Sequence, residues 1–140
     1  PSLLLTLNRM NWFMTKNDFE DRIIDLTIGL ESLIPGKDEL RYRFALYLAF
    51  ITEADPLNRL ETFKLFRALY DTRSRIVHGG EMDSAARKNE EIVRNGFEII
   101  RKLALSAVSY HLFYLSTQAQ PDWPKHLQGL VLAGEARVVD

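Results

Sequence analysis

Apolar residues recur at steps of three and four along most of this chain, and no stretch alternates apolar with polar side chains for the length of a strand. That period matches an α-helix with one face turned inward, so the fold class it selects is all-α. Phe19, Ile23, Leu26, Leu30, Leu33 and Ile34 follow the pattern until Pro35-Gly36 interrupts it, and Asn17 or Asp18 stands where an N-cap is needed. A segment from about Asp38 to Ile51 is apolar nearly all round and therefore belongs at the centre of the molecule. Asp55-Pro56 pairs a cap with proline at the first helical position, opening a helix that runs to about Val77 and stops at His78-Gly79-Gly80. A long helix from Ser84 to about Ser116 carries the stripe Val93, Phe97, Ile100, Ala104, Ala107, Val108, Leu112 and Leu115.

With a first helix over Leu3 to Met14, these segments make a bundle of four to five helices across residues 1–118. Residues 119–140, broken by Pro121, Pro124, Gly129 and Gly134, read as an irregular tail with at most a short strand or turn. The chain begins without Met and already inside an apolar run, as a piece of a longer polypeptide would. Its 140 residues suit one domain with an ordinary core, and 46% apolar with 26% charged residues is the balance of a globular protein. Apolar stretches such as Phe44 to Ile51 fall far short of the ~20 residues a membrane span requires, and the absence of cysteine fits a cytoplasmic setting.

Net charge of −1 supplies no general attraction for nucleic acid, so a phosphate-binding surface has to be a local patch. The helix that ends at His78 offers one. On a wheel, Phe66, Leu69, Tyr70, Ile76 and Val77 fall within about 60° of Arg73, which puts this arginine in the apolar stripe. A guanidinium there keeps its proton and needs an anion or a wet cleft, and either a carboxylate or an RNA phosphate would serve. Arg75 points to the opposite side and is expected in solvent. His78 and Arg75 before glycine also satisfy a helix C-terminus without any further role, because cations oppose the negative dipole end.

Arg41 and Arg43 lie in the first turns of the third helix, where cations oppose the dipole. Asp38 and Glu39 offer a local offset. The alternative partner for one of them is Glu31, which the wheel places beside Ile24 and Ile28 and so at least half-buried. Arg41, Arg43, Arg67, Arg73 and Arg75 together are the candidate RNA-binding patch. His111 flanks an apolar stripe as a core histidine would, and His126 sits in the tail with no evident partner. No two histidines share a helix face at ligand spacing and no glycine-rich phosphate loop is present, so neither a metal nor a cofactor is expected.

The segment Leu69-Tyr70-Asp71-Thr72-Arg73-Ser74-Arg75-Ile76-Val77-His78-Gly79 resembles the signature of HEPN domains (higher eukaryotes and prokaryotes nucleotide-binding), closest to their Apea-like branch. Arg22 to Leu33, with its Leu30-Glu31-Ser32-Leu33, and Leu40-Arg41-Tyr42-Arg43-Phe44-Ala45-Leu46 extend the likeness over roughly residues 5 to 117. The resemblance implies an all-helical fold and, for many members, metal-independent endoribonuclease activity. Carried over, His78 exchanges a proton with the RNA 2′-hydroxyl or the leaving 5′-oxygen, and Arg73 stabilises charge on the phosphorane. Glu31 and Ser74 would support them. The products would be a 2′,3′-cyclic phosphate and a 5′-hydroxyl. Members commonly form homodimers in which two motifs face one cleft, and a role in bacterial defence, toxin or stress systems implies a neutralising antitoxin or further domains as partners. Many active members carry Asn, Asp or His after the motif arginine, where this chain has Ser74. A noncatalytic module that dimerises or binds RNA or nucleotide within a larger protein is the second reading.

Overall fold

The computed structural model describes residues 3–15 and 18–134, all of whose regular structure is helical. Seven helices are present among the described residues: α1 (Leu3–Thr15), α2 (Phe19–Glu31), α3 (Leu40–Thr52), α4 (Pro56–His78), α5 (Ser84–Asn95), α6 (Phe97–Thr117) and α7 (Trp123–Leu132). The all-α expectation holds, and two features raise the count above four or five. The long helix expected from Ser84 is two helices, separated at Gly96, whose N–H closes α5 on the Ile92 carbonyl. The tail expected to be irregular contains α7. Asp122 caps it by accepting from the Lys125 N–H, and Pro124 lies in the first turn, where a missing N–H costs little. Residues 135–140 of that tail, and Asn17 as a candidate cap, lie outside the described residues.

Local signals set most helix ends. Asp55 accepts from the Leu57 N–H with Pro56 beside it, and Asp83 accepts from the Ala86 N–H to start α5. Asp18 occupies the cap position of α2, but its side chain makes no capping hydrogen bond. Helix α4 closes on Gly79, whose φ of 65° is left-handed backbone that glycine adopts without a Cβ penalty. Helix α2 ends at Glu31, so Leu33 and Ile34 complete the apolar stripe from the turn beyond it.

Helices α1 and α2 run antiparallel. Thr6 meets Ser32, Arg9 meets Asp25, and the Phe13 carbonyl accepts from Arg22. Helices α3 and α4 do likewise, with Phe44 packed on Phe66 and Tyr70 and Tyr42 on Phe63. As its apolar girth requires, α3 is central: Phe44, Ala45, Tyr47, Leu48, Ala49 and Ile51 are buried, and α3 packs against α4, α6 and α7. The stripe of α6 buries Ile100, Ala104, Ala107 and Val108, whereas Leu112 and Leu115 emerge at its outer side.

The Arg9 guanidinium lies 2.8 Å from the Asp25 carboxylate, which is only 2% exposed. A buried carboxylate deprived of its cation is costly, so Arg9→Ala should lower stability by about 2–4 kcal/mol. Urea denaturation checks this, and a change under 0.5 kcal/mol would show that other groups carry Asp25.

Candidate functional site

Helix α4 presents Tyr70, Asp71, Arg73, Ser74, Arg75 and His78 in two turns, and the neighbouring helices decide what each one meets. Arg73 is half-buried, as the wheel requires, and faces the end of α2. Its Nη1 lies 4.0 Å from Glu31 Oε1, with each side chain about one-fifth exposed. The contact is one of charge without a hydrogen bond, since neither Arg73 Nε nor Glu31 Oε1 has a hydrogen-bond partner. Burial pushes the Glu31 carboxyl above its ordinary range, and the nearby Arg73 pulls it back part of the way. Tyr70 belongs to the same cluster. Its phenol is raised first by burial and then by the Glu31 charge.

The third helix does not supply the partner for Glu31. Arg41 instead makes a two-pronged bond to Asp71, Nε at 2.6 Å and Nη2 at 2.8 Å, which raises the guanidinium's proton affinity through that hydrogen bond. Neither Asp38 nor Glu39 offsets it. Arg43 lies over the Tyr47 ring and against Gly36, where φ is +84° and a Cβ would collide with the guanidinium. Arg67 stacks on Phe63. Arg75, expected in solvent, is half-buried: α5 crosses that side of α4, and Glu90 lies 3.2 Å from Arg75 Nη2 and 3.8 Å from Arg94. The five arginines therefore line several faces of α3 and α4, each with its own neighbour.

His78 is exposed on the last turn of α4, next to the Gly79 cap, and Ser74 is half-buried one residue after Arg73. On a regular helix, five residues separate Arg73 and His78 by about 7.5 Å along the axis and about 140° around it. One chain therefore offers the two groups on different faces. Sequence reasoning missed Asp71, Tyr70 and Glu90. Only Asp71 and Tyr70 carried any signal, as neighbours of Arg73 within the motif.

The two remaining histidines belong to an aromatic clamp between α6 and α7. His126, far from lacking a partner, bonds the Tyr110 hydroxyl through Nε2 at 2.7 Å and stacks on Tyr114 with ring centres 4.4 Å apart. Trp123 donates its Nε1–H to the Leu33 carbonyl at 2.7 Å and covers His111 at 4.4 Å. A cavity of about 180 Å³ lined by Ser32, Leu33, Pro35, His111, Trp123 and Pro124 adjoins this contact. Burial lowers the His111 pKa from 6.5, so the unfolded chain takes up this proton more readily than the folded one. The stability contributed by neutral His111 is present above pH 6.5 and is lost as the pH falls below it. Tm should therefore drop between pH 8 and pH 5, and His111→Phe should reduce that drop; an equal drop in both proteins would place the titration elsewhere.

Among the described residues no three His, Cys, Asp or Glu side chains group as metal ligands, and no helix is long and apolar enough to cross a membrane. No family model matches the chain, and neither a curated protein nor a solved structure gives a significant match.

Proposed function

We propose that this chain is a HEPN-type, metal-independent endoribonuclease that works as a homodimer, with Arg73 and His78 as its catalytic pair. The observation that carries the reading is the contrast along α4. Arg73 is an internal, half-buried cation with an unpartnered Nε, and His78 is open to solvent at the end of the same helix. A guanidinium held near a carboxylate without a hydrogen bond keeps donors for a phosphate. An exposed imidazole can reach a 2′-hydroxyl or a leaving 5′-oxygen. As the 2′-hydroxyl gives its proton to an imidazole and its oxygen bonds to phosphorus, the P–O5′ bond breaks and the 5′-oxygen takes a proton from an imidazolium, leaving a 2′,3′-cyclic phosphate and a 5′-hydroxyl. Because the two groups lie about 140° apart on one helix, a cleft between two copies is the arrangement that serves them best. Glu31 and Tyr70 would position Arg73, and Arg41, Arg43, Arg67 and Arg75 would guide the RNA backbone. A bacterial defence, toxin or stress system with an antitoxin or further domains as partners is the setting that fits.

One observation favours the second reading, a noncatalytic RNA-binding or dimerisation module. Arg73 already has Glu31 beside it, and Arg41 and Arg75 are engaged by Asp71 and Glu90. RNA cleavage in the presence of a chelator, comparing the wild type with His78→Ala and Arg73→Ala, separates the two. Cleavage that persists in both variants, or that is absent from the wild type, rejects the enzymatic assignment.

A further inference from the structure

Three elements border the cavity of about 180 Å³ at the end of α2. The turn after that helix gives Ser32, Leu33 and Pro35, α6 gives His111, and the start of α7 gives Trp123 and Pro124. The Trp123–Leu33 hydrogen bond and the contact of the indole with the His111 ring tie the three together. Leu33 is buried, Pro35 and His111 are half-buried and Pro124 is exposed, so the cavity has a floor and a side open to solvent. Among the described residues no charged side chain lines it.

Most polar groups of the lining are committed. Ser32 Oγ donates to the Gly29 carbonyl and meets Thr6, and the Trp123 N–H is taken by the Leu33 carbonyl. His111 differs. Its Nδ1 is shut off from solvent, yet among the described residues it has no hydrogen-bond partner. Burial keeps the ring neutral at pH 7, and a neutral imidazole has one N–H and one lone pair to satisfy. Water suits such a place poorly, because it needs about two to four polar partners and one ring does not supply them. An apolar cavity of about 150 Å³, by contrast, accommodates a benzene ring.

We propose that this cavity binds a small uncharged aromatic alcohol, a single ring with one hydroxyl, the ring against Trp123, Leu33 and the two prolines and the hydroxyl on the His111 imidazole. Each property of the ligand answers to a wall. The indole and the prolines are flat, which suits a planar ring. No counter-ion lines the cavity, so a charged ligand would lose its water without compensation. A hydroxyl both donates and accepts, and therefore serves either tautomer of the imidazole. A bound ring would also brace the turn that follows Glu31, the carboxylate beside Arg73. Binding does not depend on the chemistry proposed above, and its test is scored by heat, separately from cleavage.

Phenol is the probe. Titration calorimetry of the 140-residue chain should give one site with a Kd of about 1 mM, as a ring of this size allows. Toluene, with a methyl group in place of the hydroxyl, should bind about tenfold more weakly. Benzoate, which carries charge, should not bind. In His111→Phe the preference for phenol over toluene should vanish, a change that altered packing alone would not produce. Pro35→Phe, at the half-buried rim, should abolish binding with unchanged helical content. No binding of phenol below about 10 mM, benzoate bound as tightly as phenol, a preference for phenol unchanged in His111→Phe, or binding undiminished in Pro35→Phe would overturn the inference.

Discussion

Replacing His78 with alanine should lower chelator-resistant RNA cleavage by about 10²- to 10⁴-fold, the range in which a positioned general acid or base acts. The same substitution should leave thermal stability nearly unchanged. The imidazole is exposed, and the helix end is closed by the Gly79 backbone whether or not a cation precedes it. That combination, large in rate and small in stability, is what a merely capping histidine would not produce. Arg73→Ala should cut cleavage by about 10²- to 10³-fold and also cost roughly 1–2 kcal/mol, because Glu31 is then left half-buried without its cation. Arg73→Lys distinguishes a point charge from a two-pronged donor. It should recover the stability and little of the rate, since an ammonium lacks the planar fork that grips phosphate. Full activity in Arg73→Lys would mean that charge alone suffices, and full activity in Arg73→Ala would remove the residue from the site.

Trp123→Ala should destabilise the protein by about 2–4 kcal/mol, which for a chain of this size lowers Tm by roughly 6–16 °C. The indole connects three parts of the molecule. It donates to the Leu33 carbonyl in the turn after α2, covers His111 of α6, and packs on Tyr114 at 5.4 Å while starting α7. Truncation leaves a buried carbonyl without its donor and a gap among four rings. Trp123→Phe keeps much of the ring contact and loses the N–H, so it should recover all but about 1 kcal/mol. Calorimetry of both variants checks this. A change under 0.5 kcal/mol in Trp123→Ala would mean that Leu127 and Leu130, both buried, dock α7 without the clamp.

What could be read from the sequence divides by distance along the chain. Asp55-Pro56, Asp83 near Ser84, and the glycines after His78 act within one turn, and the helix ends they set lie close to where their chemistry puts them. Gly96 was illegible for a related reason. A single glycine in a helix costs only about 1 kcal/mol relative to alanine, and the apolar stripe continues from Val93 to Phe97 across it. In the tail, Pro121, Pro124 and Gly129 each disfavour a helix interior when taken singly, yet Asp122 makes Pro124 a first-turn residue and Leu127 and Leu130 supply the buried face. The candidate site shows the other limit. Arg73 was identifiable because its own helix could not account for it. Which carboxylate each arginine finds depends on packing: Glu31, Asp71 and Glu90 lie 42, 30 and 15 residues from their respective partners, and no local spacing encodes those pairings.

The break at Gly96 also bears on how the molecule moves. It leaves α5 as a separate segment with Val93 as its one buried residue, held to α4 in part by the Arg75–Glu90 pair. Elements secured by so little apolar contact open at a small fraction of the global free energy. The amides of α5 should therefore exchange with solvent before those of the buried central helix α3. Because α5 follows directly from the loop after Gly79, each such opening also lengthens the untethered chain beside His78. A helix anchored by a single buried side chain thus adjoins the residue on which the proposed chemistry turns.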